Sequence, residues 1–427
     1  MKFDDSLKFA RQLDRADPLR SYRAAFKIPK IAGKNVIYLT GNSLGLQPRL
    51  AEKYLQQELH DWATLGVEGH FHARRPWLHY HRFTKKALAR LTGAKASEVV
   101  AMNQLTVNLH LMLATFFQPK ASRYKIIAEA GAFSSDQYAL ESQLRWHGLD
   151  PKEALIELAP RTGEFTLRTA DILDVIHANR DTLALVLLGG VQYYTGQFFD
   201  IKSITRAAHN AGAIAGFDLA HAIGNVPLTL HRDEVDFAVW CSYKYLNSGP
   251  GALAGAFVHE KHGRNAELPR LAGWWGHDEQ ERFQMKKGFI PMPGADGWQV
   301  SNVPIFQAAS HLAALELFDQ AGMHSLRRKS KQLTGFLEFL LQQIDPGGRC
   351  YNIITPADVE SRGCQLSIYM NRHGKKISDA LLREGIITDW REPSVIRAAP
   401  VPFYNTFEDV YVFATVLRRE MAKLKWQ

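Results

Sequence analysis

The sequence predicts an α/β fold: a large domain built on a mainly parallel sheet flanked by helices, completed by a small α+β domain. Three observations predict it. Short apolar, β-rich runs alternate with amphipathic helical stretches between about residues 50 and 300. Two of those runs enclose a crossover helix. Past residue 297 the pattern switches to long helices followed by strand-like segments.

In chain order, residues 124–129 (YKIIAE), 183–188 (LALVLL), 213–218 (AIAGFD) and 235–240 (VDFAVW) are largely apolar runs six residues long, as strands buried on both faces are. Between the second and third, residues 201–210 (IKSITRAAHN) read as a helix stopped at Ala211-Gly212, where glycine can take the left-handed C-terminal conformation. That is a βαβ unit. After the loop 291–297 (PMPGADG), residues 305–320 and 325–343 read as long helices, and 364–370 (CQLSIYM) and 386–390 (IITDW) as strands. The large domain is therefore assigned to residues 50–300 and the small one to 1–49 with 301–427.

At 46% hydrophobic and 22% charged over 427 residues, the chain has the composition of a soluble globular protein rather than of a disordered or fibrous one. No apolar stretch reaches the roughly 18 to 20 residues of a membrane helix. The N-terminal MKFDDSLKFARQLDRADPLR is too charged for a signal peptide, so a cytoplasmic protein with no membrane partner is expected. Cys241, Cys350 and Cys364 are odd in number and lack CxxC spacing; inert thiols are expected, with neither disulfides nor a metal. The net charge of +9 admits nucleic acid, an anionic small molecule or simply an alkaline pI. Its densest run, 327–331 (RRKSK), lies in a helical pattern without interleaved aromatics, so a solvated helix face is expected and no nucleic-acid partner.

In open α/β sheets ligands gather at the carboxyl ends of the strands. Asp218 ends AIAGFD, and Lys244 follows the next strand 26 residues later, in CSYKYLN. A pyridoxal 5′-phosphate (PLP) site needs this arrangement. The lysine holds the cofactor's aldehyde covalently, and the carboxylate keeps the pyridine nitrogen protonated so that the ring withdraws electrons. Alone, Asp218 reads equally as a helix N-cap and Lys244 as a surface lysine; their joint register favours function. Leu105-Thr106-Val107-Asn108 opens an amphipathic helix whose amides and Thr106 hydroxyl suit a phosphate, although Thr106 suits a plain cap as well. Phe133, in the AFSSD that follows YKIIAE, lies at another strand end, where it either stacks on a pyridine ring or packs in the core. Arg397 sits in the β-rich run 395–400 (VIRAAP), and its burial requires either a structural acid or a substrate α-carboxylate.

With these residues in place the chain resembles the kynureninases, PLP enzymes of fold type I related to the class V aminotransferases. The resemblance spans nearly the whole length and comes in ordered blocks. They are 41–48 (GNSLGLQP), 102–111 (MNQLTVNLHL), 133–143 (FSSDQYALESQ), 190–197 (GVQYYTGQ), 216–225 (GFDLAHAIGN), 241–247 (CSYKYLN), 273–277 (GWWGH) and 391–402 (REPSVIRAAPVP).

The resemblance implies a PLP-dependent hydrolase that cleaves the Cβ–Cγ bond of L-kynurenine, or 3-hydroxy-L-kynurenine, to anthranilate (3-hydroxyanthranilate) and L-alanine. Its setting would be tryptophan catabolism, with NAD biosynthesis as one outlet. It implies Lys244 as cofactor lysine and base at the α-carbon, Asp218 as partner of the ring nitrogen with His221 beside it, and Phe133 as the stacking ring. Leu105, Thr106, Ser135, Asp136 and Tyr243 would complete the cofactor cradle, with Tyr243 near the phosphate and serving as proton donor or relay. Trp274 and Asn302 would reach the site from the neighbouring subunit of a homodimer. Arg397 would hold the substrate carboxylate, with Ser43, His70 and Asn302 toward the substrate's aromatic end. Trp77 and Phe71 are further candidates for that aromatic slot, with core packing the more ordinary expectation for both. Two departures stand out. Gly189 replaces a serine of animal relatives, which removes one phosphate hydrogen bond, and Trp275 is a variable position.

Two other readings share these residues. A cysteine desulfurase or selenocysteine lyase has the same Asp-to-Lys arrangement but needs a reactive cysteine on a mobile loop, and none of the three cysteines is so placed. A non-catalytic scaffold of the same fold would be expected to have lost the lysine, the aspartate or the arginine, and all three are present.

Overall fold

The computed structural model describes residues 2–426. Among them the largest sheet has seven strands, β1 (Val99–Ala101), β2 (Lys125–Glu129), β3 (Leu155–Leu158), β4 (Leu183–Gly189), β5 (Ile214–Asp218), β6 (Phe237–Trp240) and β7 (Gly255–Val258). Their spatial order is β1-β7-β6-β5-β4-β2-β3. Strands β6, β5, β4, β2 and β3 run parallel, and β7 runs against both its neighbours. The longer helices are α1 (Leu7–Ala16), α2 (Arg49–Leu65), α3 (Arg82–Thr92), α4 (Leu105–Phe116), α5 (Ser134–Trp146), α6 (Thr169–Ala178), α7 (Ile201–Asn210), α8 (Ile305–Ala321), α9 (Met323–Ile344), α10 (Gly374–Arg383) and α11 (Phe407–Ala422).

Alternate residues of the same strands feed two cores. Ile127, Val186, Leu188, Ala215 and Phe217 enter the core closed by α2, α3, α6, α7 and α8. Ile126, Ala128, Leu185, Leu187 and Phe237 enter the one closed by α4 and α5. Burial on both faces is why these strands read as unbroken apolar runs. The crossover helix α7 begins with Asp200, whose carboxylate accepts from the Ser203 amide at 3.0 Å, and ends at Ala211-Gly212 with Gly212 at φ +71°. Its Ile201, Ile204 and Ala208 pack into the first core; each buried isoleucine contributes about 1.5–3 kcal/mol.

The second sheet is antiparallel, β8 (Tyr351–Ile353), β9 (Leu366–Met370), β10 (Asp389–Arg391) and β11 (Val395–Ala398), in the order β8-β9-β11-β10. Its Leu366, Ile368, Ile396 and Ala398 build a third core with residues of α1, α9, α10 and α11. The residues between them form a polar row, because Ser367 pairs with Arg397 and Arg397 with Asp389 directly across the strands. The N-terminal segment ties the sheets together: Phe26 and Leu46 enter the first core and Leu39 the third.

Two expectations change. The run 386–390 divides, since Ile386–Ile387 pairs with Ile37–Tyr38 while Asp389–Arg391 joins the second sheet. The run 327–331 is not a solvated face. Arg327 and Lys329 are buried, because α9 packs against both the N-terminal segment and the loop at 359. Arg327 donates to the Val359 carbonyl at 2.6 Å and Lys329 pairs with Asp17 at 2.8 Å. No helix among the described residues is long and apolar enough to cross a membrane.

Candidate active site

Strand ends converge on one cleft. β2 ends on Glu129, β4 on Gly189 and β5 on Asp218, with Gly189 and Asp218 in register. Lys244 follows β6, and the first turns of α4 and α5 bring in Leu105, Thr106, Ser135 and Asp136. These residues, with Phe133, His221, Tyr193 and Tyr243, line a cavity of about 180 Å³. The position at the carboxyl edge of a parallel sheet is where the fold itself leaves a crevice.

Each side chain is placed by its local structure. Asp218 is a buried strand end whose Oδ1 accepts from the Ala220 amide at 2.7 Å. Burial, only partly opposed by Lys244 and the Ala220 amide, raises its carboxyl above the ordinary value. Asp136, hydrogen-bonded to it, is pushed well above the carboxylate range by burial and by Asp218, further than Asp218 itself is raised. Lys244 Nζ lies 3.0 Å from His221 Nε2 and 5.6 Å from the centre of the Phe133 ring. Burial, with Lys244 and Arg397 nearby, holds His221 well below its ordinary value, so its ring is neutral. Burial likewise raises the Tyr243 phenol, keeping its proton in place. No side chain caps α4, which leaves its first amides and Thr106 free for a ligand. Phe133 is 41% exposed and meets Tyr193 edge-on at 5.4 Å, so it is not a core residue.

This donor set fits PLP. Asp136 Oδ1 is buried without a hydrogen-bond partner, and Glu129, Asp136 and Asp218 face a single lysine. The surplus of acid matches a protonated ring nitrogen, the uncapped helix matches a phosphate, and Phe133 offers a face for the ring.

The other predicted residues lie outside the cleft lining of the single chain. Arg397 is buried just behind it, bonded to the Tyr193 carbonyl at 2.6 Å. Ser43 sits two residues before Gly45, whose amide donates to the Tyr243 carbonyl at 2.8 Å. His70 bonds the Val67 carbonyl and meets Trp77 edge-on. Trp274 and Asn302 are exposed. Trp77 is a core residue bonded to Glu58 at 2.9 Å, whereas Phe71 is exposed, against the expectation of core packing. Cys241 and Cys364 are buried, and burial pushes the Cys364 thiol up to about 12.

Sequence reasoning missed Glu129, Tyr193 and Asp389. Glu129 carries the same signal as Asp218, an acid ending an apolar run. Its Oε1 accepts from the Gly189 amide at 3.2 Å, and a Cβ at Gly189 would stand 3.0 Å from it, so the glycine noted as a departure leaves room for this carboxyl. Burial pushes Glu129 up to about 7.

A seven-stranded α/β sheet with lysine, paired aspartates and an uncapped helix at its carboxyl edge defines a PLP enzyme of fold type I. The profile of the kynureninase C-terminal domain matches residues 326–417. Kynureninase of Myxococcus xanthus is 58% identical over 97% of both chains, and that of Flavobacterium psychrophilum is 52% identical over 98% of this chain and 99% of its own. The chain therefore belongs to the kynureninase family. The fold is shared more widely: the cysteine desulfurase of Thermococcus onnurineus superposes with a TM-score of 0.76 at 17% identity, covering 91% of this chain and 95% of its own.

Proposed function

We propose that the chain hydrolyses the Cβ–Cγ bond of L-kynurenine, or of its 3-hydroxy form, to anthranilate or 3-hydroxyanthranilate and L-alanine, as a step of tryptophan catabolism. The observation that carries this is the cleft itself, one lysine opposite buried strand-end acids, in a chain of this family. Bound there, PLP supplies an electron sink for the bonding electrons released at the substrate's α- and β-carbons.

The protein's own groups do the rest. Asp218 would face the ring nitrogen, with Asp136 hydrogen-bonded beside it. Phe133 covers the ring, and Thr106 with the first amides of α4 holds the phosphate. Lys244 would hold the cofactor's aldehyde and, when its amine is free, would take the substrate's α-proton on Nζ. Neutral His221 accepts a hydrogen bond from that Nζ and steadies it. Tyr243, still protonated at neutral pH, delivers a proton to the β-carbon after water has added to the ketone and anthranilate has left. Arg397 binds the α-carboxylate, and Ser43 and His70 lie toward the aromatic end.

A homodimer is part of this reading, with Trp274 and Asn302 of each copy completing the other's site. Its support is that both are exposed here, and that Leu271, Phe283, Met285 and Ile290 beside Trp274 are exposed apolar side chains awaiting cover. The division into a large domain at 50–300 and a small one at 1–49 and 301–427 is supported by the separate sheets and the third core; α8, counted with the small domain, packs instead on the first core. Three free thiols support a cytoplasmic setting.

The test is direct. The cofactor's visible absorbance band should be present, be lost in Lys244→Ala, and be accompanied by anthranilate fluorescence when L-kynurenine is added. No aromatic product from either kynurenine overturns the proposal.

A further inference from the structure

Arg397 is gripped on one side. Asp389 lies directly opposite it across the β10–β11 pair, and its carboxylate takes Nη2 at 2.7 Å and Nε at 3.3 Å. Nη1 donates to the Tyr193 carbonyl at 2.6 Å. A guanidinium has five N–H donors in a rigid planar fork. Three are therefore engaged. One donor on Nη1 and one on Nη2 remain; with the Tyr193 carbonyl on the Nη1 hydrogen nearer Cδ, these two are the parallel pair that takes a carboxylate with two hydrogen bonds.

The surroundings place the guanidinium next to the cleft. Tyr193 lines the cleft beside Lys244, and the Arg397 guanidinium carbon stands 6.0 Å from its ring centre. The turn that carries Tyr193 is clamped to the same polar row: Gln365 donates to the Tyr193 carbonyl at 3.0 Å, and Ser367 donates to that of Tyr194. Arg397 is 1% exposed and the Asp389 side chain 10%, so solvent does little to screen the pair. Charge points the same way. Arg391 Nε also lies 3.0 Å from Asp389 Oδ1, so two guanidiniums share one carboxylate and one positive charge is left over for an anion.

We propose that Asp389 is a positioning residue for substrate recognition: by holding one edge of the Arg397 fork against the second sheet, it turns the other edge toward the α-carboxylate of the amino-acid substrate. This rests on the reading that Arg397 meets that carboxylate. Without Asp389 the fork loses two of its three anchors and swings about its last side-chain bonds, so the carboxylate meets a misaligned cation while the chemistry at Lys244 is untouched.

The experiment compares the holoenzyme with Asp389→Asn, Asp389→Glu and Arg397→Gln, reading KM and kcat for L-kynurenine and the dissociation constant of PLP. It adds the inhibition constant of the decarboxylated analogue, which keeps the aryl ketone and amine. Asp389→Asn should raise KM tenfold or more with kcat falling no more than threefold. PLP affinity and analogue inhibition should stay within twofold, and Asp389→Glu should recover part of the loss. Equal weakening of substrate and analogue, or loss of PLP affinity, would mean a merely structural role and overturns the proposal. If Arg397→Gln raises KM and Asp389→Asn does not, the positioning role alone falls. If Arg397→Gln leaves KM unchanged, the underlying reading of Arg397 falls with it.

Discussion

Replacing Glu129 by glutamine isolates what a third buried carboxyl costs the fold. Its ordinary value is 4.5, and burial, opposed by the Gly189 amide and reinforced by Asp218, brings it to about 7. At roughly 1.36 kcal/mol per pH unit that rise is about 3 kcal/mol. Between pH 4.5 and 7 the folded protein keeps a proton that the unfolded chain has released, so stability falls as pH rises through that window and is level above it. Glutamine has no such proton to lose and still accepts from the Gly189 amide. An unfolding entropy of roughly 2.1 cal/mol/K per residue over 427 residues converts about 3 kcal/mol into about 3 °C. Thermal melts of the cofactor-free protein should therefore show wild type and Glu129→Gln together near pH 4.5, and the variant about 3 °C higher at pH 8. A gap that is constant with pH, or of the opposite sign at pH 8, refutes the reasoning.

Asp236 works in the other sense: despite burial, His209, His262, the Ala215 amide and Lys261 hold its carboxyl far below the ordinary 3.8. Its contribution is thus complete above pH 3.8 and is lost as pH falls below it. Asp236→Asn should cost about 3–5 kcal/mol at pH 7, seen as a lower melting temperature whose deficit shrinks in acid; a deficit that grows in acid contradicts this. Tyr243→Phe should keep PLP bound but lower turnover on the order of a hundredfold or more, and unchanged turnover would remove Tyr243 from proton transfer. Gly216→Ala puts a Cβ 2.2 Å from the Phe237 ring, which cannot retreat because it stacks on Phe116 at 4.9 Å. A loss of about 1–3 kcal/mol and weaker PLP binding should follow, since Asp218 lies two residues along the same strand; an unaltered melt would show that the ring yields.

What could be read from the chain follows from how locally each feature is encoded. β2, β4, β5 and β6 were legible because burial on both faces writes a continuous apolar run. β1, with three residues, β3, whose run Glu157 interrupts, and β7, which opens on Gly255 in a glycine- and alanine-rich stretch, were not, because such a stretch becomes a strand only through its partners. Asp218 and Lys244 were legible because one crossover separates them, so their spacing along the chain maps onto neighbouring strands. Trp274 and Asn302 carried no local signal and entered only by resemblance. Arg397 shows the limit most clearly. Its burial left two partners to choose between, a structural acid or a substrate carboxylate, and the structure supplies the acid. Asp389 and Arg397 lie four residues either side of Pro393, the symmetry that a hairpin turns into a cross-strand pair. The acid does not exclude the substrate, because a guanidinium has more edges than one carboxylate can fill. A buried arginine in a strand is therefore better read by asking which acid lies opposite it, and then which of its donors are left and where they face.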